Sequence, residues 1–97
     1  AMSSRNSRLS ELEKSAALAI SKSLYFLRER KGIESLQDTL AFVKNQFIEP
    51  AGVRLEYLCC AHSENLEPYN DWPTGSCVLL VAGWIGGVRL IDELEVN

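Results

Sequence analysis

"CVLLVAGWIGGVRLID", residues 77–92, decides how this chain folds. Cys77 to Ala82 is a continuous apolar run of strand-forming type, without the polar alternation of a half-exposed strand. It predicts a strand in the interior of a sheet, covered on at least one face by other elements. Gly86-Gly87 can take the positive backbone angles of a two-residue hairpin turn, and the chain then returns as Val88 to Asp92.

A third strand is expected upstream. From Val53 the apolar period is two, so that Val53, Leu55, Tyr57 and Cys59 share one face while Arg54 and Glu56 point the other way. Between this strand and the hairpin lies "HSENLEPYNDWPTG", residues 62–75. Its prolines, glycine and polar residues mark a connection that is long for a compact domain.

Further upstream the period changes to that of helices. Leu12, Ala16, Ile20, Leu24 and Leu27 form one apolar stripe, opened by a capping box at Ser10 and Glu13 and stopped at Gly32. Arg28, Arg30 and Lys31 sit near the negative end of that helix dipole. A second helix begins at Ser35, carries Leu36, Leu40, Val43 and Phe47, and ends at Pro50 and Gly52. The expected fold is therefore α+β, with two N-terminal helices packed on a small three-stranded, mainly antiparallel sheet.

At 97 residues the chain has room for one core, so residues 1–97 are expected to form a single domain. Apolar residues make up 46% and charged residues 24%, the composition of a globular rather than a disordered chain. A net charge of −3 repels phosphate backbones, which argues against nucleic acid and anionic membranes as partners. No apolar run is long enough to cross a membrane and no secretory signal pattern opens the chain, so a cytoplasmic protein is expected. The three cysteines, Cys59, Cys60 and Cys77, match neither a disulfide framework nor a zinc spacing and are expected to be free thiols in apolar surroundings, with no metal site.

Catalytic constellations are sparse. His62 is the sole histidine and has no adjacent nucleophile with an acidic orienter; no phosphate-cradling glycine loop is present. Glu11, Glu13 and Asp38 read as helix-cap or solvated carboxylates. Trp72 and Trp84 are expected to pack, each indole N–H finding a partner. What remains is the opening cluster: Arg5 offers a planar charged fork and Ser3 and Ser4 add hydroxyl donors, all just before a helix start. These residues could clamp a triphosphate; a frayed terminus is the plain alternative.

"MSSRN", residues 2–6, followed by Leu9-Ser10, resembles the signature loop of the pantothenate synthetase (pantoate–β-alanine ligase) family. "GVRLEYLCCAHSENLEP" is similar to the first strand of that family's C-terminal domain and its following loop, and "CVLLVAGWIGGVRLID" to its closing hairpin. Two positions depart: Cys59-Cys60-Ala61 stands where the family commonly ends the strand with Asp, and Glu93 where Asn commonly follows Arg-Leu-Ile-Asp.

The resemblance implies an ATP- and Mg²⁺-dependent ligase that activates pantoate as an acyl adenylate and passes it to β-alanine. Met2 would place the nucleotide; Ser3, Ser4 and Arg5 would bind its triphosphate, with Arg5 the catalytic residue. It also implies that the chain is the C-terminal lid domain, that the nucleotide-binding domain with its His-x-Gly-His motif is absent, and that the fragment alone is inactive. The opening cluster would then mark a cut at the hinge, and the exposed cut face would let the fragment self-associate. The alternative is a stand-alone noncatalytic α+β binding or assembly module.

Overall fold

The computed structural model describes residues 11–97, and these form two helices on one face of a three-stranded antiparallel sheet. Helix α1 is Glu11–Arg30, α2 is Leu36–Val43, and the strands are β1 (Arg54–Ala61), β2 (Cys77–Ile85) and β3 (Val88–Val96). The sheet order is β1-β2-β3, with both pairings antiparallel. Ser10, and with it the expected capping box, lies outside the described residues.

Ala16, Ile20, Leu24 and Leu27 of α1 are buried, whereas Leu12 is 62% exposed, so the packed stripe begins one turn later than its sequence period indicates. Gly32 ends the helix in the left-handed conformation, at φ 85°. Ser35 caps α2 by accepting the Asp38 amide at 3.2 Å. Beyond Val43 the helix widens into a π turn, Lys44–Ile48, and then tightens into a 3₁₀ turn, Glu49–Ala51. The π turn moves the buried position from Phe47 to Ile48, five residues after Val43; Phe47 is only partly buried.

The expected period of β1 is broken by a bulge. Leu55 pairs with Gly83 and Tyr57 with Ala82, which leaves Glu56 as the extra residue. One inserted residue reverses every later side chain. Leu55, Leu58 and Cys60 therefore pack on the helix-side core, while Tyr57, expected on that face, is exposed and Cys59 lies on the opposite face with it.

Gly83 permits the close approach of strands that this bulge requires. A Cβ there would stand well inside van der Waals contact with Val53 Cγ1 and 3.2 Å from the Arg54 carbonyl oxygen. At the hairpin only Gly86 has a positive φ, 58°, as a type II′ turn requires; Gly87 does not.

β2 is central and runs to Ile85, and β3 runs to Val96, both longer than the sequence pattern indicates. Cys77, Leu79, Val81 and Ile85 join the helices in the core. Two buried hydroxyls are satisfied locally, Ser23 donating to the Ile20 carbonyl at 2.7 Å and Thr39 to the Ser35 carbonyl at 2.8 Å.

Candidate functional site

Met2, Ser3, Ser4 and Arg5, the predicted nucleotide-binding residues, lie outside the described residues, as does Asn6 of the same motif. What the structure does describe is the domain behind them. α1 opens with Glu11 and Glu13 in its first turn, and Lys14 pairs with Glu11 at 3.6 Å. Carboxylates complement the positive end of a helix dipole, but they make that end a poor seat for a phosphate.

The long connection is pinned to the start of α2. Asp71 accepts the Leu36 amide at 3.1 Å and the Trp72 amide at 2.8 Å through one carboxylate oxygen. These two backbone donors hold its carboxyl below the usual aspartate range. Gln37 Nε2 donates to the Asn70 carbonyl at 2.9 Å and Lys31 Nζ to the Gly75 carbonyl at 2.7 Å. No local pattern announces these anchors, because the partners lie more than thirty residues apart along the chain.

At the start of the connection His62 stacks on Tyr69, with ring centroids 3.9 Å apart. His62 is half-buried beside a polar groove of about 310 Å³, whose lining includes Ser63, Glu64 and Ser76. Leu66 takes a positive φ of 62° where the loop turns, its amide donating to the His62 carbonyl at 2.9 Å. The imidazole is thus held by ring packing, as a structural loop residue would be.

A second polar cluster ties the three strands together on the face away from the helices. Glu56, at the bulge of β1, receives both Arg89 Nε and Nη2 at 2.9 Å, a bidentate pair, and Trp84 Nε1 at 3.1 Å. The Arg89 hydrogen bonds lower the Glu56 carboxyl and raise the guanidinium. Trp84 thus has the indole partner expected of it. Trp72 does not: its Nε1 is buried and, among the described residues, lacks a hydrogen-bond partner.

The three thiols are free, Cys60 and Cys77 buried and Cys59 half-buried. Burial, reinforced by a hydrogen bond with Cys77, pushes the Cys60 thiol up to about 12, so it is neutral at physiological pH. Among the described residues no group of three His, Cys, Asp or Glu side chains is placed to hold a metal ion. No described helix is long and apolar enough to cross a membrane.

Grooves of about 290 and 280 Å³ flank α2 and its π turn, the first beside Leu18, Lys22 and Phe47, the second beside Leu40, Lys44 and Leu58. With the 310 Å³ groove they lie at or below the lower limit of ordinary small-molecule sites. The two beside α2 and its π turn are open to solvent.

The family model of pantoate-beta-alanine ligase matches residues 1–95. The chain belongs to the pantoate–β-alanine ligase family. It is 38% identical, over its whole length, to the pantothenate synthetase of Colwellia psychrerythraea and to the pantoate–β-alanine ligase of Arabidopsis thaliana. It covers 35% and 31% of those proteins. The crystal structure of pantothenate synthetase from Thermus thermophilus superposes on 99% of the chain with a TM-score of 0.80 and 34% identity, again over 35% of its own length. The chain therefore spans about a third of the ligases it matches, and aligns with their C-terminal part.

Proposed function

We propose that this chain is the C-terminal lid of an ATP-dependent ligase that joins pantoate to β-alanine, and that it supplies the loop that grips the nucleotide phosphates. The observation that carries this reading is the family match over residues 1–95, which takes in the Met2-Ser3-Ser4-Arg5-Asn6 motif as well as the folded domain.

In the proposed reaction the pantoate carboxylate attacks the α-phosphorus of ATP, forming pantoyl adenylate and releasing pyrophosphate. The β-alanine amine then attacks the acyl carbon, forming the amide and releasing AMP. Met2 helps place the nucleotide. Ser3 and Ser4 donate hydrogen bonds to the triphosphate, and Arg5 presents its guanidinium to the pyrophosphate as it leaves. Charge on that leaving group grows toward the transition state, so fixed donors aimed at it lower the barrier more than they tighten ground-state binding. Mg²⁺ would enter with the triphosphate oxygens, which it commonly uses as ligands.

Closure of the lid excludes water, which protects the acyl adenylate from hydrolysis. The chain alone is silent because the groups that bind pantoate and β-alanine reside in the remaining two-thirds of the ligase. The test is pantothenate formation from pantoate, β-alanine and Mg·ATP, with this chain alone and with the nucleotide-binding part of a relative added. Silence alone and turnover in the mixture are expected. Turnover by the chain alone would overturn the lid reading.

A further inference from the structure

We infer that Asp92 guards the open edge of the sheet, and that without its carboxylate β3 would pair with the β3 of a second copy of this chain. The inference is independent of the lid reading.

The edge strands of a sheet present rows of backbone groups on which a further strand can build. The edge of β1 is blunted in two ways. The bulge at Glu56 interrupts it, and the connection after β1 folds back over its end, with Pro68 bridging to Ala61 and the Tyr69 amide donating to the Cys60 carbonyl at 2.8 Å. β3 has neither device. It runs from Val88 to Val96 without a bulge or a proline, and among the described residues no strand pairs with its outer side.

The hairpin decides which backbone groups of β3 face outward. Ile85 and Val88 flank the two-residue turn, so they exchange both backbone hydrogen bonds, and every second pair after them does the same. Leu90, Asp92, Leu94 and Val96 therefore bond to β2, while Arg89, Ile91, Glu93 and Glu95 turn their N–H and C=O groups away from it.

The side chains show what closes this edge. The helix-side row of β3 is Val88, Leu90, Asp92, Leu94 and Val96, apolar except at its centre, and the four apolar members pack in or against the core. Asp92 is half-buried opposite Val81, and its Oδ1 accepts the Glu93 amide at 2.8 Å. That amide is one of the outward donors. A carboxylate seated on it satisfies the donor and repels the carbonyl oxygen that an incoming strand would bring. A charge in the inward row of an edge strand is a recognised way of keeping such an edge unpaired.

The register of self-pairing names the partner that is kept out. Two β3 edges joined antiparallel about a two-fold axis through Asp92 would overlap along the whole strand and extend one continuous sheet. Arg89 would stand opposite the partner's Glu95, Leu90 opposite the partner's Leu94, and Val88 opposite the partner's Val96, each twice by symmetry. Like charges would meet only on the axis, where Asp92 faces the partner's Asp92. The edge is thus self-complementary except at the residue that closes it.

Sedimentation velocity and amide hydrogen exchange of the 97-residue chain at neutral pH test the assignment. Asp92→Val is expected to raise the association constant by roughly tenfold or more. In the associated species the amides of Arg89, Ile91 and Glu95 should exchange more slowly, while those of α1 are unchanged. Asp92→Asn keeps the side-chain acceptor and removes the charge, so its association should lie between wild type and Asp92→Val; it also decides the matter if circular dichroism shows that Asp92→Val does not fold. Glu95→Arg added to Asp92→Val sets like charges opposite each other at both ends of the pairing and should return association to the wild-type level. Association no tighter than wild type in the variants that fold overturns the inference. So does tighter association without protection of the three amides, which places the contact elsewhere, and so does their protection in a wild-type dimer, because Asp92 would then not close the edge.

Discussion

Replacing Gly83 with Ala would put a methyl group where Val53 Cγ1 already stands. Gly83 pairs with Leu55 beside the β1 bulge, and the new Cβ would also lie 3.2 Å from the Arg54 carbonyl oxygen. Because Val53 is only 5% exposed, its side chain has little room to turn away. Overpacking of this kind costs about 1–3 kcal/mol. Val53→Ala alone removes two buried methyl groups and leaves a small cavity, a loss of about 2 kcal/mol. If the two side chains compete for one volume, the double variant is destabilised by about 1–2 kcal/mol less than the sum of the single losses. Relief is incomplete because the Arg54 carbonyl oxygen does not move with Val53. Urea unfolding followed by far-ultraviolet circular dichroism measures all four corners of the cycle. Additivity to within about 0.5 kcal/mol would refute the claim that Val53 excludes a side chain at position 83.

In an active ligase carrying this domain, Arg5→Ala should slow pantoate-dependent ATP–pyrophosphate exchange by about 10²–10³-fold while leaving the unfolding midpoint unchanged. A stability loss that accounts for the fall in exchange would contradict the phosphate-clamp role. Asp71→Ala should lower stability at neutral pH by freeing the loop from α2. Since the folded-state carboxyl titrates below its ordinary value of 3.8, its contribution is present above that value and lost as pH falls through the folded value. The gap between wild type and variant in unfolding midpoint should therefore close in strong acid; a gap independent of pH would mean that the carboxylate charge is irrelevant. Among the thiols, mass spectrometry after brief alkylation of the native chain should find Cys59 modified before Cys60 and Cys77, which are buried. Equal rates at all three would show that the strands open on the time scale of the reaction.

The hairpin and both helices were legible because their signals are local. An unbroken apolar run, a Gly-Gly pair and two helical stripes each specify an element without reference to the rest of the chain. The bulge at Glu56 was not legible, since a period-two pattern read from Val53 onward holds only if no residue is inserted in the pairing. The π turn after Val43 escaped for a similar reason: Phe47 and Ile48 are both large and apolar, and only packing decides which is buried. The Glu56–Arg89–Trp84 cluster and the Asp71 anchor join residues 28 to 35 positions apart and follow from sheet register and loop path rather than from any short motif. The candidate phosphate loop is the reverse case. It rests on a family resemblance carried by five consecutive residues, Met2 to Asn6, which lie outside the described residues.

If this domain serves as the lid of a pantoate–β-alanine ligase, it should work in place of a relative's own C-terminal part. The most direct measurement is the steady-state rate of pantothenate formation by a chimera in which residues 1–97 replace the C-terminal third of the Thermus thermophilus enzyme. The expected result is a chimera that turns over and that loses its adenylation step on Arg5→Ala. A folded chimera that makes no pantothenate, or one whose activity is indifferent to Arg5→Ala, would contradict it.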